Sequence, residues 1–209
     1  MTYSKFKLQK ENLMKTINQS EEFMKLFQNI EFRKKFLEKR IVFFWGPVMD
    51  DTAEEIVNQL LYLEMLEQGK EIKMYINSPG GSISAGMSIY DTMQMISSPV
   101  STVCIGMAAS MGAVLLSGGE KGKRFIFPNA EVMIHQPSIG GIVQDQAANL
   151  YITAEHIKKT KERLTRILAE NTGQPYEKVL KDADRDFWLD SKSSVEYGIV
   201  DKIINKIEL

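Results

Sequence analysis

The chain has 209 residues, of which 44% are hydrophobic and 25% charged, enough for one α/β domain with a buried core. Its formal net charge of -1 and the lack of a basic stripe argue against nucleic-acid binding. A single cysteine cannot form an internal disulfide, and no apolar run is long enough to span a membrane. We therefore expect a cytoplasmic protein that binds neither nucleic acid nor membrane.

Residues 1–40 form a polar N-terminal segment. The spacing of Phe23, Phe27 and Ile30 predicts an amphipathic helix, which could pack on its own domain, a partner helix or a membrane surface. Acidic residues among the lysines weaken the membrane alternative, so packing on its own domain is the favoured interpretation. The main domain is predicted over residues 41–209.

From residue 41 onward, short apolar strands alternate with amphipathic helices. Such alternation with short loops predicts right-handed crossovers and a largely parallel, buried sheet. The predicted strands are 41–45, 72–76, 100–105, 124–127, 132–134 and 200–204. The first predicted helix begins at Asp50 or Asp51 and runs to about residue 67. The next three span 84–96, 110 to about 118, and about 146–171, the last of these ended by Gly173. Two short helices follow.

Residues 106–112 read GMAASMG, between a buried strand and a helix. Small residues allow a sharp turn that presents Ser110, as in a nucleophile elbow, with Ala108 where the usual motif has its first glycine. The helix start offers free backbone N–H groups suited to a developing oxyanion. The alternative is a serine that only caps the helix.

Residues 77–82 read NSPGGS and also lie between a strand and a helix. Paired glycines expose backbone N–H groups, which can hold an anion or a substrate backbone. As a bare turn, this signal is unspecific.

A catalytic base would have to be one of two histidines. His135 follows an apolar strand and precedes a loop, and the serine and the glycine pair favour it as the base over a satisfied core histidine. His156 lies in the long helix beside lysines, which is typical of a solvent-exposed position.

A carboxylate is needed to orient the imidazole, and the run DADRDFW offers three candidates. Asp186 stands next to the aromatic pair and is the one we expect to be shielded from water. Asp182 and Asp184 are expected to form surface or intersubunit ion pairs with Arg185. Spacing alone does not separate the three.

The other sequence motifs are weaker evidence for a function. Residues 117–124 fail the phosphate-loop pattern G-x-x-x-x-G-K-[ST] at both ends, and no cluster has metal-ligand spacing. Cys104, within an apolar strand, is expected to be a core residue.

Together the segments YINSPGG (75–81), GMAASMG (106–112), MIHQP (133–137) and DRD (184–186) resemble the ClpP family, the proteolytic subunits of the Clp protease. The resemblance extends from about Arg40 to the C-terminus, including Tyr197-Gly198. It implies a ClpP/crotonase-like α/β fold of repeated strand-strand-helix units, with a long protruding handle helix at about 146–171.

The same resemblance implies roles for individual residues. Ser110 would be the nucleophile, His135 the base and Asp186 the acid, with the backbone N–H groups of Gly81 and Met111 as the oxyanion hole. The substrate would lie extended between the segment after Gly81 and the glycine-containing segment after Pro137. The implied substrate-binding residues are Ser82, Ile83, Ile139 and Gly140.

Members of this family stack two seven-membered rings into a tetradecamer, with the long helix joining the rings. The resemblance assigns Arg185, with Asp184, to an intersubunit salt bridge. An AAA+ unfoldase uses ATP to supply unfolded polypeptide, so this chain itself needs no cofactor or metal. The chain departs from the usual family pattern in two places. The N-terminal sequence that forms the axial entrance loop is not recognisable in residues 1–40, and the stretch 138–143 is about two residues longer than in the commonest form. Both fit a divergent paralogue that works in a mixed complex with a second ClpP-type subunit.

Two alternatives stay open at this point. One is an acyl-CoA-handling enzyme of the related crotonase fold, which would use an oxyanion hole without the three side chains. The other is a non-catalytic ring subunit that modulates an active partner.

Overall fold

The computed structural model describes residues 31–138 and 146–206. The chain divides into two compact units, Met1–Lys39 and Arg40–Leu209. In the first unit, residues 31–38 form helix α1. The amphipathic helix predicted around Phe23, Phe27 and Ile30 lies outside the described residues.

The second unit alternates strands and helices, as the sequence predicts, and its elements follow in chain order. They are β1 (Ile41–Trp45), α2 (Asp50–Leu66), β2 (Ile72–Ser78), α3 (Ile83–Met95), β3 (Val100–Ala109), α4 (Met111–Ser117), β4 (Arg124–Ile126), β5 (Glu131–Ile134), α5 (Ala147–Thr172), α6 (Tyr176–Asp182), β6 (Phe187–Leu189), α7 (Ser191–Tyr197) and β7 (Lys202–Ile203).

The strands form one sheet in the order β1-β2-β3-β4-β7, and every neighbouring pair on this path is parallel. The long strand β3 serves two partners, because its first half pairs with β4 and its end, residues 107–109, pairs with β5. β6 then adds to β5 as the one antiparallel neighbour in the described sheet. The predicted mixed α/β fold with a largely parallel sheet is confirmed.

Two features of the sheet differ from the sequence prediction. β3 continues to Ala109 instead of ending at residue 105, because the small residues of GMAA pair with β5 as strand. β6 is absent from the predicted strands, because a segment of three residues is too short to show the alternation that marks a strand.

The core lies between the sheet and helices α2, α3 and α4, where Leu60, Ile76 and Leu115 are fully buried. Cys104 belongs to this core, as predicted, and has no exposed surface. Burial raises the pKa of its thiol to about 12, because an apolar environment disfavours the thiolate.

α5 spans 26 residues and ends at Gly173, whose φ of 75° is left-handed, as predicted for a helix C-terminus. Among the helices in residues 31–138 and 146–206, none is long and apolar enough to cross a membrane.

A buried arginine ties the end of α5 to the sheet. The Arg124 guanidinium binds Asp201 with Nη2–Oδ1 2.6 Å and Nε–Oδ2 3.0 Å, and its Nη1 donates to the Asn171 carbonyl oxygen at 2.7 Å. Partial burial alone would raise the pKa of Asp201, but the hydrogen bonds and charge of Arg124 outweigh it and hold that pKa below its usual value.

Candidate active site

Ser110 stands at the junction between β3 and α4, and its backbone is strained. Its φ of 54° and ψ of -119° are uncommon for a residue other than glycine and cost on the order of 1–3 kcal/mol. The backbone N–H donates to the Met133 carbonyl oxygen at 2.8 Å, which fixes the turn against β5. The Ser110 side chain makes no capping hydrogen bond to α4, so the simple cap interpretation is wrong.

The turn beside Ser110 contains two glycines, Gly80 and Gly81, with different roles. A Cβ on Gly80, which has φ of 87°, would lie 2.6 Å from the Ser110 Cβ and 2.7 Å from the Ala109 carbonyl oxygen. Gly81 forms a parallel bridge with Val48, in which Val48 bonds to the two residues flanking Gly81. Because successive peptide groups of an extended chain alternate in direction, the Gly81 N–H points away from Val48.

The strand pairing brings His135 to Asp186. Ile134 pairs with Phe187 in the antiparallel β5–β6 ladder, so the next residues along, His135 and Asp186, stand opposite each other just beyond its end. The two side chains meet with His135 Nδ1 and Asp186 Oδ1 3.0 Å apart. On the other side of the ring, His135 Nε2 lies 2.8 Å from Ser110 Oγ.

These contacts fix the protonation pattern of the imidazole. A carboxylate oxygen accepts hydrogen bonds, so the shared proton sits on Nδ1 of His135. Nε2 is then the acceptor for the Ser110 hydroxyl. The arrangement can therefore withdraw a proton from Ser110 onto His135, with the Asp186 carboxylate placed to stabilise the positive charge that forms on the ring.

Asp186 is not shielded from water, and the expectation that it would be is wrong. Its side chain is 63% exposed. The aromatic neighbours do not cover it, since Phe187 is only half-buried and Trp188 is 51% exposed. The reason is that β6 pairs with β5 alone and lies at the margin of the sheet.

The two other aspartates have different partners. Asp184 Oδ2 pairs with Arg185 Nη1 at 3.1 Å, as expected. Asp182 does not pair with Arg185, because it accepts from Lys178 Nζ at 2.6 Å and from the Tyr197 hydroxyl at 3.0 Å within its own domain.

Two backbone N–H groups adjoin the serine without a hydrogen-bond acceptor in residues 31–138 and 146–206. They belong to Gly81, at the bridge to Val48, and to Met111, the first residue of α4. Free N–H groups at a turn and a helix start suit the binding of a negatively charged oxygen.

A cavity of 620 Å³ opens in front of these groups. Its wall includes the predicted residues Ser82 and Ile83, whereas Ile139 and Gly140 lie outside the described residues. One face of α5 forms the opposite wall and carries His156 and Arg163. The lining residues are Gly81, Ser82, Ile83, Ser84, Ser110, His135, Pro137, Ser138, His156, Ile157, Thr160 and Arg163.

His156 is exposed, as predicted, yet it faces this cavity together with the permanent cation of Arg163. None of the described lining residues is acidic. A small apolar pit of 20 Å³ lies next to Ser110 and His135, and its other walls are Ile83, Met111, Val114, Ile134, Pro137, Leu164 and Leu168.

Two polar residues beside the site, Gln136 and Lys161, are not among the predicted site residues. Gln136 follows His135 and binds both Asp184 and Lys161 through its side chain. The one available signal was the position of Gln136 next to the candidate base, because its partners lie far away in the chain.

The model of the Clp protease family matches residues 24–207. The chain belongs to the Clp protease family. This match covers almost the whole second unit and confirms the resemblance to ClpP that the four motifs indicate. The Ser110–His135–Asp186 contacts, the free amides and the cavity are thus the candidate active site of a ClpP-type chain.

Proposed function

We propose that this chain is a serine endopeptidase, the proteolytic subunit of an ATP-dependent Clp protease that degrades unfolded proteins to short peptides. The observation that carries the proposal is the continuous line of hydrogen bonds from Ser110 through His135 to Asp186, 2.8 Å and 3.0 Å long. Membership of the Clp protease family supports the same reaction class.

In the proposed reaction, Ser110 Oγ attacks the peptide carbonyl carbon while His135 Nε2 takes its proton. Asp186 keeps the imidazole in the tautomer with hydrogen on Nδ1 and stabilises its positive charge. The protonated imidazole then donates to the leaving amine, which leaves an acyl group on Ser110. Water repeats the sequence, with His135 again as the base, and releases the peptide.

The oxygen of the tetrahedral intermediate becomes negatively charged, and the N–H groups of Gly81 and Met111 are proposed to bind it. Removing one such donor from an enzyme of this type costs roughly 100- to 1,000-fold in rate. Both groups are backbone amides, so they are held by the Val48 bridge and by α4 instead of by flexible side chains.

The substrate is proposed to lie extended along Gly81, Ser82 and Ile83, with Ile139 and Gly140 on its other side. Main-chain hydrogen bonds bind any sequence, which suits an enzyme that degrades many unfolded proteins. The apolar pit beside Ser110, with a volume of 20 Å³, would accept only a small apolar group next to the cleaved bond.

The active form is proposed to be two stacked seven-membered rings, with α5 joining the rings and Arg185 and Asp184 contributing to contacts between subunits. Arg185 supports this role because its side chain is 83% exposed in the single chain. ATP would be used by an AAA+ unfoldase, and the chain itself would need no cofactor. A mixed ring with a second ClpP-type subunit is the variant of this assembly suggested by the unusual N-terminal segment.

The test is Ser110→Ala. We expect it to abolish peptide hydrolysis and covalent labelling by a fluorophosphonate, with the native mass unchanged. Ser88→Ala is the matched control, since the Ser88 hydroxyl binds the Ala85 carbonyl oxygen within α3. Continued labelling of the Ser110→Ala protein would refute the proposal.

The assembly is tested by native mass spectrometry of the same proteins. A particle of fourteen subunits of 23.8 kDa is the expected result. A chain that is inert alone but hydrolyses peptides when mixed with a second ClpP-type subunit would establish the mixed ring.

A further inference from the structure

Gln136 lies where the regular pairing between β5 and β6 stops. Ile134 and Phe187 are the last paired residues, and His135 and Asp186 follow without further ladder hydrogen bonds. The Gln136 backbone N–H instead donates to the Ala183 carbonyl oxygen at 2.6 Å, which draws the loop of residues 183–186 against β5.

The Gln136 side chain makes a second connection to the same loop. Its Nε2 donates to the Asp184 carbonyl oxygen at 2.8 Å and reaches Asp184 Oδ1 at 3.3 Å. Its Oε1 accepts from Lys161 Nζ at 2.7 Å. A lysine ammonium only donates and a carbonyl oxygen only accepts, so these partners fix which end of the amide is which.

Asp186 depends on this loop for its position. Within the described part of the chain, its carboxylate has a hydrogen bond to His135 and to no other group. An exposed carboxylate with one partner is held mainly by its own backbone, and that backbone starts two residues after Asp184.

We propose that Gln136, braced by Lys161 of α5, is a positioning residue that holds Asp186 against His135. This inference rests on the proposed function, because it assigns the residue a role in the same hydrogen-bonded line. Lys161 fixes the amide, the amide fixes the backbone of residue 184, and that backbone sets the direction of the Asp186 side chain.

Loss of the brace should slow acylation of Ser110 without unfolding the protein. A misplacement of about 1 Å in a catalytic group can cost up to roughly 100-fold in rate. For Gln136→Met, which keeps the side-chain length and removes both polar ends, we expect a loss of roughly 10- to 100-fold.

The rate to measure is fluorophosphonate labelling of the full-length assembled protein. Lys161→Met should be slowed and Lys161→Arg should be close to the wild type, because arginine can still donate to Gln136. The matched control is Gln174→Met, which removes a comparable bond from Gln174 Nε2 to the Tyr197 carbonyl oxygen, 3.0 Å long, away from the site. Native mass should not change in any variant, and the unfolding temperature should fall by no more than a few degrees, by a similar amount in Gln136→Met and in the Gln174→Met control.

Gln136→Met separates positioning from a simple charge effect, because it breaks the brace without removing a charge. A loss in Gln136→Met comparable to the loss in Lys161→Met supports positioning. A loss in Lys161→Met alone would mean that the charge of Lys161 matters and would overturn the inference.

A crystal structure of Gln136→Met in the Ser110→Ala background tests the inference without any activity. The expected result is a separation of His135 Nδ1 and Asp186 Oδ1 well beyond hydrogen-bond distance. An unchanged separation, or a wild-type labelling rate in Gln136→Met, would overturn the inference while leaving the proposed peptidase intact. Absence of labelling in the wild type would instead count against the peptidase, and the crystal structure would still decide on the positioning role.

Discussion

Ser110 and Asp186 stand at opposite ends of one line of hydrogen bonds, and the protein holds them differently. Around Ser110 the neighbours Ala108, Ala109 and Met111 are at most 2% exposed, and its backbone N–H is tied to β5. Asp186 is 63% exposed at the margin of the sheet. The nucleophile is therefore fixed by close packing of the core, whereas the acid is fixed by a few polar contacts.

Because Asp186 is exposed, replacing its carboxylate should reduce activity without lowering the stability of the fold. Asp186→Asn should lower peptide hydrolysis by about 10⁴-fold, because an amide can present a donor to Nδ1 and favour the wrong imidazole tautomer. The unfolding temperature should stay the same, since the side chain is exposed. Steady-state hydrolysis and a thermal melt measure the two effects.

Asp91→Asn is the matched control, because Asp91 lies at an exposed position of α3 and has no place in the proposed site or subunit contacts. Its activity should remain within a few-fold of the wild type. Equal losses in the two variants would contradict the assignment of the acid to Asp186.

At the nucleophile end, a change in packing should be enough to disable the site. Gly80→Ala would push its Cβ against Ser110 and Ala109, and we expect a loss of roughly 100-fold in hydrolysis together with a lower unfolding temperature. Gly69→Ala is the control, because Gly69 has a similar φ of 76° but no atom within 4 Å of an added Cβ. If both variants lose activity equally, backbone strain and not the close contact is responsible.

The cavity in front of Ser110 and His135 should influence the choice of substrate. Since Arg163 faces a lining without carboxylates, Arg163→Glu should change the relative cleavage of matched peptides with Glu or Lys near the cleaved bond by about two- to fivefold in favour of Lys. Arg166→Glu is the control, since Arg166 lies over the Tyr176 ring outside this cavity. An equal effect from both variants would mean that overall charge, not the cavity, sets the preference.

The smallest expected effect concerns the ion pair between Arg124 and Asp201, which connects the end of α5 to the sheet. The pKa of Asp201 is lowered in the folded protein, so its pairing with Arg124 stabilises the fold above the unfolded-state pKa near 3.9. That stability is lost as the pH falls through the lower folded-state value. Asp201→Asn should therefore flatten the decline of the unfolding temperature below about pH 4, by a few degrees for a pair whose side chains are only 6% and 22% exposed.

Thermal melts from pH 2 to pH 7 check this expectation, with Asp91→Asn on the exposed side of α3 as the control. If the decline is as steep in Asp201→Asn as in the wild type, the acid sensitivity arises elsewhere.

Much of the nucleophile end could be predicted from sequence because its causes are local. The position of Ser110 is determined within about ten residues of sequence. These residues contain an apolar strand, four small residues and the start of a helix. The glycine pair at 80 and 81 is likewise visible as a turn, although its contact with Ser110 depends on the pairing of β2 with β3.

The acid end was harder to predict because its causes are long-range. Expected burial beside Phe187 is the local reason to prefer Asp186, and it is wrong, although Asp186 is the aspartate that meets His135. What brings them together is the register of β5 and the three-residue strand β6, which no local pattern reveals. Lys161 and Gln136 meet across 25 residues for the same kind of reason.

The buried Cys104 has a practical consequence for attaching a label near Asp186. A thiolate is the form that reacts with maleimides, and a buried thiol with a pKa of about 12 supplies almost none at neutral pH. A cysteine introduced at an exposed position such as Lys192, in the helix that follows β6, would then carry a fluorophore or spin label alone, with the native protein as its own blank.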